Sequence, residues 1–206
     1  ISEIETEQAK QQFALFMAEK TFTPGTPTLT NAGREGYEKS ALCSCALIPV
    51  DLRERHASAE IIRAYYQQNM GSGFDLTPYA DPLGLLLWLN DLAASETATG
   101  RYDRYIGNMA NLHITHPRIR DFIEAKNNRH LSYFNLSVIV TDGFMEAAKK
   151  GENFTLLDDS EISAYYLLKQ IAQSAWISGD PSILNLERMN RDNPLLHIAP
   201  YVSAPP

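Results

Sequence analysis

FNLSVIV, at residues 134–140, is the strongest strand signal in this chain of 206 residues, because β-branched side chains are enriched over most of its length. Four other short runs also have strand character, at 46–50, 72–76, 110–115 and 183–186. Most of these runs are separated by segments of helical character, at 58–70, 82–97, 117–126, 144–150 and 160–177. Strands that alternate with helices predict an α/β fold, with a largely parallel sheet or barrel segment and crossover helices.

The first 33 residues depart from this alternation. Residues 6–20 carry apolar side chains at helical spacing and predict an amphipathic helix, so residues 1–22 are assigned to an N-terminal helical segment. Residues 23–33 are rich in Thr, Pro and Gly and are expected to form a loop. A polar turn is expected at 189–193.

Two helix starts carry candidate caps. Asp142 is expected to cap the helix at 144–150, which Gly151 should end. Ser160 or Asp159 is expected to cap the helix at 160–177.

Composition narrows the classes of function. The formal net charge of −7 argues against a protein that grips nucleic acid, which needs a concentrated basic face, but it leaves room for binding small phosphates. The longest apolar run, at 83–89, is far too short to cross a membrane. The first residues lack the basic and apolar regions of a signal peptide, so a cytoplasmic location is expected.

The chain contains two cysteines, Cys43 and Cys45, and their spacing leaves two interpretations open. A pair of cysteines cannot form a disulfide framework, and without further ligands it does not predict a metal site. Cys45 is either a redox thiol with a partner thiol or a small buried apolar residue. Alternation along an extended strand would place Cys43 and Cys45 on the same face.

Three further segments have the residue types of a nucleotide site. Residues 24–28 combine Thr, Gly and Pro, and either present hydroxyl and N–H groups to phosphate or form an ordinary turn. Residues 71–73 (Gly-Ser-Gly) either let a ligand approach the backbone or end a helix. Residues 99–109 contain arginine, which fits phosphate, and tyrosine, which stacks on bases; a solvated loop is the alternative.

Taken in chain order, six segments match one pattern. They are Thr26-Pro27-Thr28-Leu29-Thr30-Asn31-Ala32-Gly33, Leu42-Cys43-Ser44-Cys45, Gly71-Ser72-Gly73-Phe74, Gly107-Asn108-Met109 with His116-Pro117-Arg118-Ile119, Phe134-Asn135-Leu136-Ser137-Val138 with Thr141-Asp142, and Gly179-Asp180-Pro181 with Asn193-Pro194. Over about 22–194 this order resembles the large subunit of ribonucleotide reductases, in particular the adenosylcobalamin-dependent (class II) branch. Cys43 stands where that family usually has serine.

The resemblance implies a fold and an activity. The family fold is a ten-stranded α/β barrel built from two five-stranded halves, and residues 23–206 would form the first half, incomplete at the C-terminus. The family converts ribonucleotides to deoxyribonucleotides by thiyl-radical chemistry, with adenosylcobalamin generating the radical. The main contacts to that cofactor are expected outside this chain.

The resemblance also implies roles for particular residues. Cys45 would be one of two thiols that supply electrons to the substrate. Substrate would be held by Thr26, Thr28 and Ser44. A nucleotide effector, at the interface of a homodimer, would be bound by Asp51, Gly71, Gly73, Arg104, Asn108 and Met109. Asn108 and Met109 would lie on a loop between effector and substrate.

Two departures from the family pattern shape the expectation. First, Ala204-Pro205-Pro206 lies where the family's Asn-Pro-Cys-Gly-Glu type segment, which contains the radical cysteine, would begin. Second, Tyr105 and Ile106 stand where the family usually has arginine and glycine. We therefore expect a fragment or separately encoded piece of a reductase, inactive alone, whose partner is the C-terminal half. The alternatives are a nucleotide-binding sensor module, one subunit of a split reductase, or an unrelated α/β enzyme.

Overall fold

The computed structural model describes residues 6–33, 41–101, 105–128 and 130–206. Its strands are β1 (Cys45–Leu47), β2 (Gly71–Asp75), β3 (Asn108–His113), β4 (Phe134–Ile139), β5 (Asn153–Thr155), β6 (Glu161–Ser163) and β7 (Ser182–Leu184). Five of them form one sheet in the order β1-β2-β3-β4-β7, with every neighbouring pair parallel. The predicted five strands and the parallel sheet are confirmed, whereas the ten-stranded barrel stays a prediction.

Helices connect these strands. They are α1 (Glu7–Ala18), α2 (Thr26–Asn31), α3 (Arg55–Gln67), α4 (Pro82–Thr97), α5 (Ile119–Ile123), α6 (Ala125–Asn128), α7 (Asp142–Lys150), α8 (Ala164–Ser178) and α9 (Leu186–Arg191). The predicted bounds of α4 are confirmed; it begins at Pro82, where the missing N–H of proline costs nothing. Within the residues described, no helix is both long and apolar enough to cross a membrane.

One face of the sheet packs against the helices and forms the core. Large apolar side chains alternate along the central strands, as with Phe74 in β2, Leu112 in β3 and Leu136 in β4, and each is almost completely buried. Tyr66 of α3 and Phe122 of α5 belong to the same buried cluster. Because alternate residues of a strand point to opposite faces, the intervening residues lie on the other face of the sheet.

The expected loop at 23–33 contains a helix, α2, and that prediction was wrong. Gly25 precedes the helix and Pro27 occupies its first turn, where a proline is well accommodated. The hydroxyl of Thr30 donates to the carbonyl oxygen of Thr26 at 3.0 Å, so a side chain that suggested a loop instead bonds back along the helix. The expected turn at 189–193 was also wrong in part, since α9 extends to Arg191.

Three further expectations need correction. The helix expected from residue 160 begins at Ala164, because residues 161–163 form β6 and pair antiparallel with β5. The helix expected at 117–126 is divided into α5 and α6 at Glu124. The cap of α7 is Thr141, whose hydroxyl accepts from the backbone N–H of Phe144 at 3.0 Å, and not Asp142. Gly151 ends α7 in the left-handed conformation, with φ 74°, as predicted.

A partly buried ion pair fixes the last strand of the sheet to its neighbours. Lys126 Nζ lies 2.5 Å from Asp180 Oδ2 and also donates to the carbonyl oxygen of Phe134 at 2.8 Å. The second carboxylate oxygen of Asp180 accepts from the backbone N–H of Leu136 at 2.9 Å. The pair therefore joins α6, the start of β4 and the turn before β7.

Candidate functional site

Cys45 is the first residue of β1, and its side chain is half-buried. Its thiol lies 3.0 Å from the carbonyl oxygen of Pro206, in position to donate. Parallel pairing places Cys45 opposite Gly71 of β2. Cys43 is exposed and precedes the strand in a bend at 42–44, so the expectation of one extended strand carrying both cysteines on one face was wrong.

Two glycines of β2 allow the segment 203–206 to lie against the sheet beside Cys45. A Cβ atom at Gly73 would lie 2.6 Å from the Cα of Pro205 and 2.8 Å from the carbonyl oxygen of Ala204. A Cβ atom at Gly71 would lie 2.8 Å from Pro206 Cγ and 3.4 Å from the sulfur of Cys45. The predicted close backbone approach is thus present, but another part of the same chain makes it, and residues 71–73 belong to a strand instead of a turn.

The face of the sheet that carries Cys45 also carries a row of polar side chains. Register aligns Asp75, Asn111, Ser137 and Ser182 across β2, β3, β4 and β7. The hydroxyls of Ser137 and Ser182 are 2.6 Å apart, and the Asn111 amide nitrogen donates to Ser203 Oγ at 2.8 Å. We call the side of the sheet with Cys45 and this row the polar face.

Asn111 connects the polar face to segment 203–206. Its side-chain nitrogen also donates to the carbonyl oxygen of Ala204 at 2.6 Å, while its oxygen is buried with no hydrogen-bond partner in the structure. A buried acceptor without a partner costs about 1–3 kcal/mol, so such groups tend to occur where a ligand or water can approach. The opposite face holds two similar atoms, Ser72 Oγ and Asn108 Nδ2.

The residues expected to hold substrate lie close to this strand. Thr28 donates its hydroxyl to the carbonyl oxygen of Leu42 at 3.0 Å, which ties α2 to the segment that enters β1. Thr26 is exposed at the start of α2. A Cβ at Gly25 would lie 3.7 Å from Ser44 Oγ, and the carbonyl oxygen of Ser44 accepts from Gly71 N at 2.7 Å. The structure therefore brings Thr26, Thr28 and Ser44 to the same end of β1 as Cys45.

The residues expected to bind an effector do not converge on one point. Asp51 follows the other end of β1, where its carboxylate pairs with Arg53 at 3.1 Å. The hydrogen bonds from Arg53 hold the pKa of Asp51 below its usual value. Arg104 lies outside the described residues.

Asn108 and Met109 belong to β3, so the expectation that they lie on a loop was wrong. Asn108 accepts from the Tyr66 hydroxyl at 3.2 Å on the helix-covered side of the sheet. Met109 accepts from the Ser137 hydroxyl at 3.0 Å on the polar face. Adjacent residues of one strand therefore serve opposite sides of the sheet.

A cavity of about 120 Å³ opens beside Cys45, lined by Tyr66, Gly71, Tyr105, Gly107 and Pro206 among others. Tyr105 stacks on Tyr133 with ring centroids 5.3 Å apart, and its hydroxyl donates to the carbonyl oxygen of Ser132 at 2.7 Å. Burial raises the pKa of Tyr105, which keeps its hydroxyl protonated as a donor. A second cavity, of about 270 Å³, lies on the polar face between Leu47, Asp75 and Ser203.

His113 lies at the carboxyl end of β3. Burial lowers the pKa of His113, and the charges of Asp75 and Glu187 only partly oppose that effect. The backbone N–H of Thr115 donates to His113 Nδ1 at 3.3 Å, and Thr115 Oγ1 lies 2.7 Å from the same nitrogen. Both features favour the neutral ring.

Sequence reasoning missed the polar row. The sequence pattern assigns Asn111 and Ser137 only to strands, because a polar residue within a short apolar run does not reveal which strands pair with it. Alternation along each strand is the signal in the sequence that could have indicated these faces. Asn111 is two residues from Met109, and Ser137 is two residues from Asn135, so each pair lies on one face of its strand. The register that aligns the strands was needed to assemble the row.

Comparison with known proteins identifies the family of the chain. Residues 80–200 match the model of the ribonucleotide reductase barrel domain. The vitamin B12-dependent ribonucleoside-diphosphate reductase of Mycobacterium tuberculosis (strain CDC 1551 / Oshkosh) is 29% identical over 209 residues, covering 90% of this chain and 30% of the relative. The enzyme of the same name from Thermoplasma acidophilum is 28% identical over 221 residues, covering 95% of this chain and 28% of the relative.

The chain thus spans about 30% of the length of these curated relatives. The family match, at residues 80–200, covers more than half of the chain and extends from α4 to the segment after α9. The alternative of an unrelated α/β enzyme is therefore wrong. This chain belongs to the ribonucleotide reductase family, and residues 80–200 match that family's barrel domain.

Proposed function

We propose that this chain forms part of an enzyme that converts ribonucleotides to deoxyribonucleotides, with Cys45 as one of its two electron-supplying thiols. The observation that carries the proposal is the position of Cys45, half-buried at the edge of a polar face and beside a cavity. Replacing the ribose 2′-hydroxyl by hydrogen consumes two electrons, and water leaves. Two thiols supply them by forming a disulfide.

The substrate would lie on the polar face, with its phosphates near Thr26, Thr28 and Ser44. Support comes from the hydrogen bond between Thr28 and Leu42, which holds α2 beside the start of β1. The unpartnered oxygen of Asn111 supports a polar ligand on the same face, because it offers an acceptor to a sugar hydroxyl. These contacts orient a ribose relative to Cys45 without contributing electrons.

The effector, a second copy of the chain and the C-terminal half of the reductase are further proposed partners. Asp51, Gly71, Gly73, Arg104, Asn108 and Met109 remain the proposed effector-binding residues, on the resemblance. Since the described members of this set are spread over both faces and both ends of the sheet, we propose that the effector acts on the 105–107 loop, beside the cavity at Cys45.

Adenosylcobalamin is proposed as the radical-generating cofactor, since the relatives are named as vitamin B12-dependent. The described residues do not fit it by themselves. The cavity of about 120 Å³ beside Cys45 is smaller than a drug-sized site, and adenosylcobalamin is larger than a drug-sized ligand. We propose that its main contacts lie outside these residues.

The proposal is tested by protection of Cys45 from alkylation. The protein is treated with limiting iodoacetamide with and without ribonucleoside diphosphates or triphosphates, and each cysteine is quantified by mass spectrometry. We expect nucleotide to slow the modification of Cys45 and to leave exposed Cys43 unchanged as the internal control. Equal rates with and without every ribonucleotide would count against the proposed substrate face.

A second measurement addresses activity. We expect no deoxyribonucleotide from this polypeptide alone, because its two cysteines lie at 43 and 45 and the resemblance assigns the radical cysteine to neither. Product formed by the chain with cofactor and a dithiol would contradict that expectation. Tight binding of deoxynucleoside triphosphates or ATP by the chain alone, measured by calorimetry, would instead favour the sensor module.

A further inference from the structure

Asn111 holds segment 203–206 on the polar face with both hydrogens of its amide nitrogen. That nitrogen donates to Ser203 Oγ at 2.8 Å and to the carbonyl oxygen of Ala204 at 2.6 Å. An amide NH₂ group has two hydrogens, so the segment takes up its whole donor capacity. Asn111 and Ser203 are both buried, so bulk water does not compete for these bonds.

The unpartnered oxygen of Asn111 argues that this side chain does more than fill space. Its Oδ1 is buried with no hydrogen-bond partner in the structure, and turning the amide over would set that oxygen against the carbonyl oxygen of Ala204. A leucine of similar volume would fill the same space without leaving an acceptor unsatisfied. The two bonds to the segment are therefore the interactions that favour an amide at this position.

The residue that Asn111 anchors lies two positions from the acceptor of the Cys45 thiol. Ala204 is followed by Pro205 and Pro206, and each proline ring fixes φ at about −65°. Two consecutive prolines leave the chain few conformations, so holding Ala204 also restricts the position of Pro206. The carbonyl oxygen of Pro206 lies 3.0 Å from the sulfur of Cys45, in position to accept its hydrogen.

The strand beneath the segment supports the same placement. A Cβ at Gly73 would meet the Cα of Pro205 at 2.6 Å, so the backbone of the segment rests directly on β2. A Cβ at Gly71 would lie 2.8 Å from Pro206 Cγ and 3.4 Å from the Cys45 sulfur, so the proline ring and the thiol meet over one glycine. Asn111 therefore holds a segment that fits closely against β2 and covers the thiol at its end.

Resting on the proposed function, in which Cys45 supplies electrons, we propose that Asn111 is a positioning residue that controls access to the Cys45 thiol. While both amide bonds are made, segment 203–206 stays on β2 and the thiol donates to Pro206. When the bonds are broken, the segment leaves the strand and the sulfur can be reached from solvent. Asn111 acts through the segment and supplies neither electrons nor protons.

The test measures the rate at which iodoacetamide alkylates Cys45 in the intact chain, with Cys43→Ser as the background. Asn111→Leu removes both bonds at nearly unchanged volume, and Ser203→Ala removes one of them. The net stabilisation from two hydrogen bonds corresponds to a factor of about ten in the opening equilibrium of the segment. We expect alkylation to be about tenfold faster in Asn111→Leu and to reach an intermediate rate in Ser203→Ala.

Ser174→Ala is the matched control. Ser174 is buried like Ser203, and its hydroxyl accepts from the Asn127 amide nitrogen at 2.7 Å, between α6 and α8. Its removal costs a comparable bond on the helix-covered side of the sheet, so the alkylation rate of Cys45 should stay at its background value. Comparing Ser203→Ala with Ser174→Ala thus separates the place of the bond from its contribution to global stability, even where Asn111→Leu does not fold.

Urea distinguishes opening of the segment from unfolding of the chain. Displacing segment 203–206 exposes little surface, so below the unfolding transition the faster alkylation should depend only weakly on urea; a rate that follows global unfolding would rise steeply. An unchanged rate in Ser203→Ala, an equal increase in Ser174→Ala or a steep urea dependence would each overturn the proposal. These rates are measured without nucleotide, so they are distinct from the proposed function, which is tested by ribonucleotide protection of Cys45.

Discussion

At the residue scale, the glycines of β2 determine what can lie against Cys45. Gly71 and Gly73 alternate with Ser72 and Phe74, so both glycines lie on the polar face. A Cβ at Gly73 would meet backbone atoms of Ala204 and Pro205, which cannot rotate away as a side-chain tip can, and a Cβ at Gly71 would meet the ring of Pro206 and the carbonyl oxygen of Gly107. Segment 203–206 can therefore cover Cys45 only because residues 71 and 73 are glycines, which have no Cβ.

Gly73→Ala should expose Cys45. The new Cβ would meet Pro205 Cα at 2.6 Å and Ala204 O at 2.8 Å, so segment 203–206 must shift, at a cost of about 1–3 kcal/mol. Measured in a Cys43→Ser background, alkylation of Cys45 should become faster and the urea midpoint lower. Gly143→Ala in α7 is the control, because its Cβ would meet only Thr141 Oγ1, at 3.9 Å, and it does not line the cavity beside Cys45. Equal alkylation rates in the two variants would show that the segment does not shield the thiol.

His113 should make stability depend on pH. Burial lowers its pKa in the folded chain below the ordinary value of 6.5, so the unfolded state binds a proton first as pH falls. Stability present above about pH 6.5 is therefore lost as the pH falls toward the lowered folded-state pKa. We expect a lower urea midpoint at about pH 5.5 than at about pH 7.5, and a smaller difference in His113→Asn. An unchanged difference in the variant would assign the effect to other groups.

At the element scale, the start of α7 shows what sequence reasoning could and could not supply. The sequence predicted the helix and its end at Gly151, but Thr141 and Asp142 are both good capping residues and only the backbone decides between them. Thr141 has extended dihedral angles and precedes the helix, whereas Asp142 is its first residue and binds Asn185 and Arg188. Those partners come from more than forty residues away, which local patterns cannot reveal.

Thr141→Ala should destabilise the fold by about 1 kcal/mol, since the N–H of Phe144 would lose its acceptor near a buried ring. Ser160→Ala is the matched control, because Ser160 was expected to cap α8 but instead lies in the turn between β5 and β6, where its hydroxyl binds Asp158. That change should cost less than about 0.5 kcal/mol. Chemical denaturation of both variants measures the difference, and a larger loss for Ser160→Ala would contradict the assignment of the caps.

The same limit explains why the sheet was predictable and the candidate site only partly so. Strands and helices leave a local period, so all five parallel strands were found from the sequence. Short elements with polar residues, β6 and α2 among them, leave no such period, so the sequence predicts a helix at β6 and a loop at α2. Asn111 acquires its importance from Ser203, over ninety residues later, and no spacing rule connects the two.

At the scale of the whole molecule, the sheet has one covered face and one partly open face. Helices bury the apolar face, while segment 203–206 lies against the polar face at Gly71 and Gly73. Strands β1 and β7 form the edges, each paired on one side in the described part of the chain. Edges of this kind are where a second set of strands would add, as the predicted barrel requires.

Hydrogen exchange should therefore divide the strands by position. In the isolated chain, amides of β3 and β4 should exchange slowest, because both strands are paired on two sides and lie over the buried core. Amides of β1 and β7 should exchange faster, since alternate N–H groups of an edge strand face away from the sheet. In a complete reductase containing this chain, a closed barrel would slow exchange in both edge strands and leave β3 and β4, the internal control, unchanged. Edges that stay equally fast in the complete protein would contradict closure at these strands.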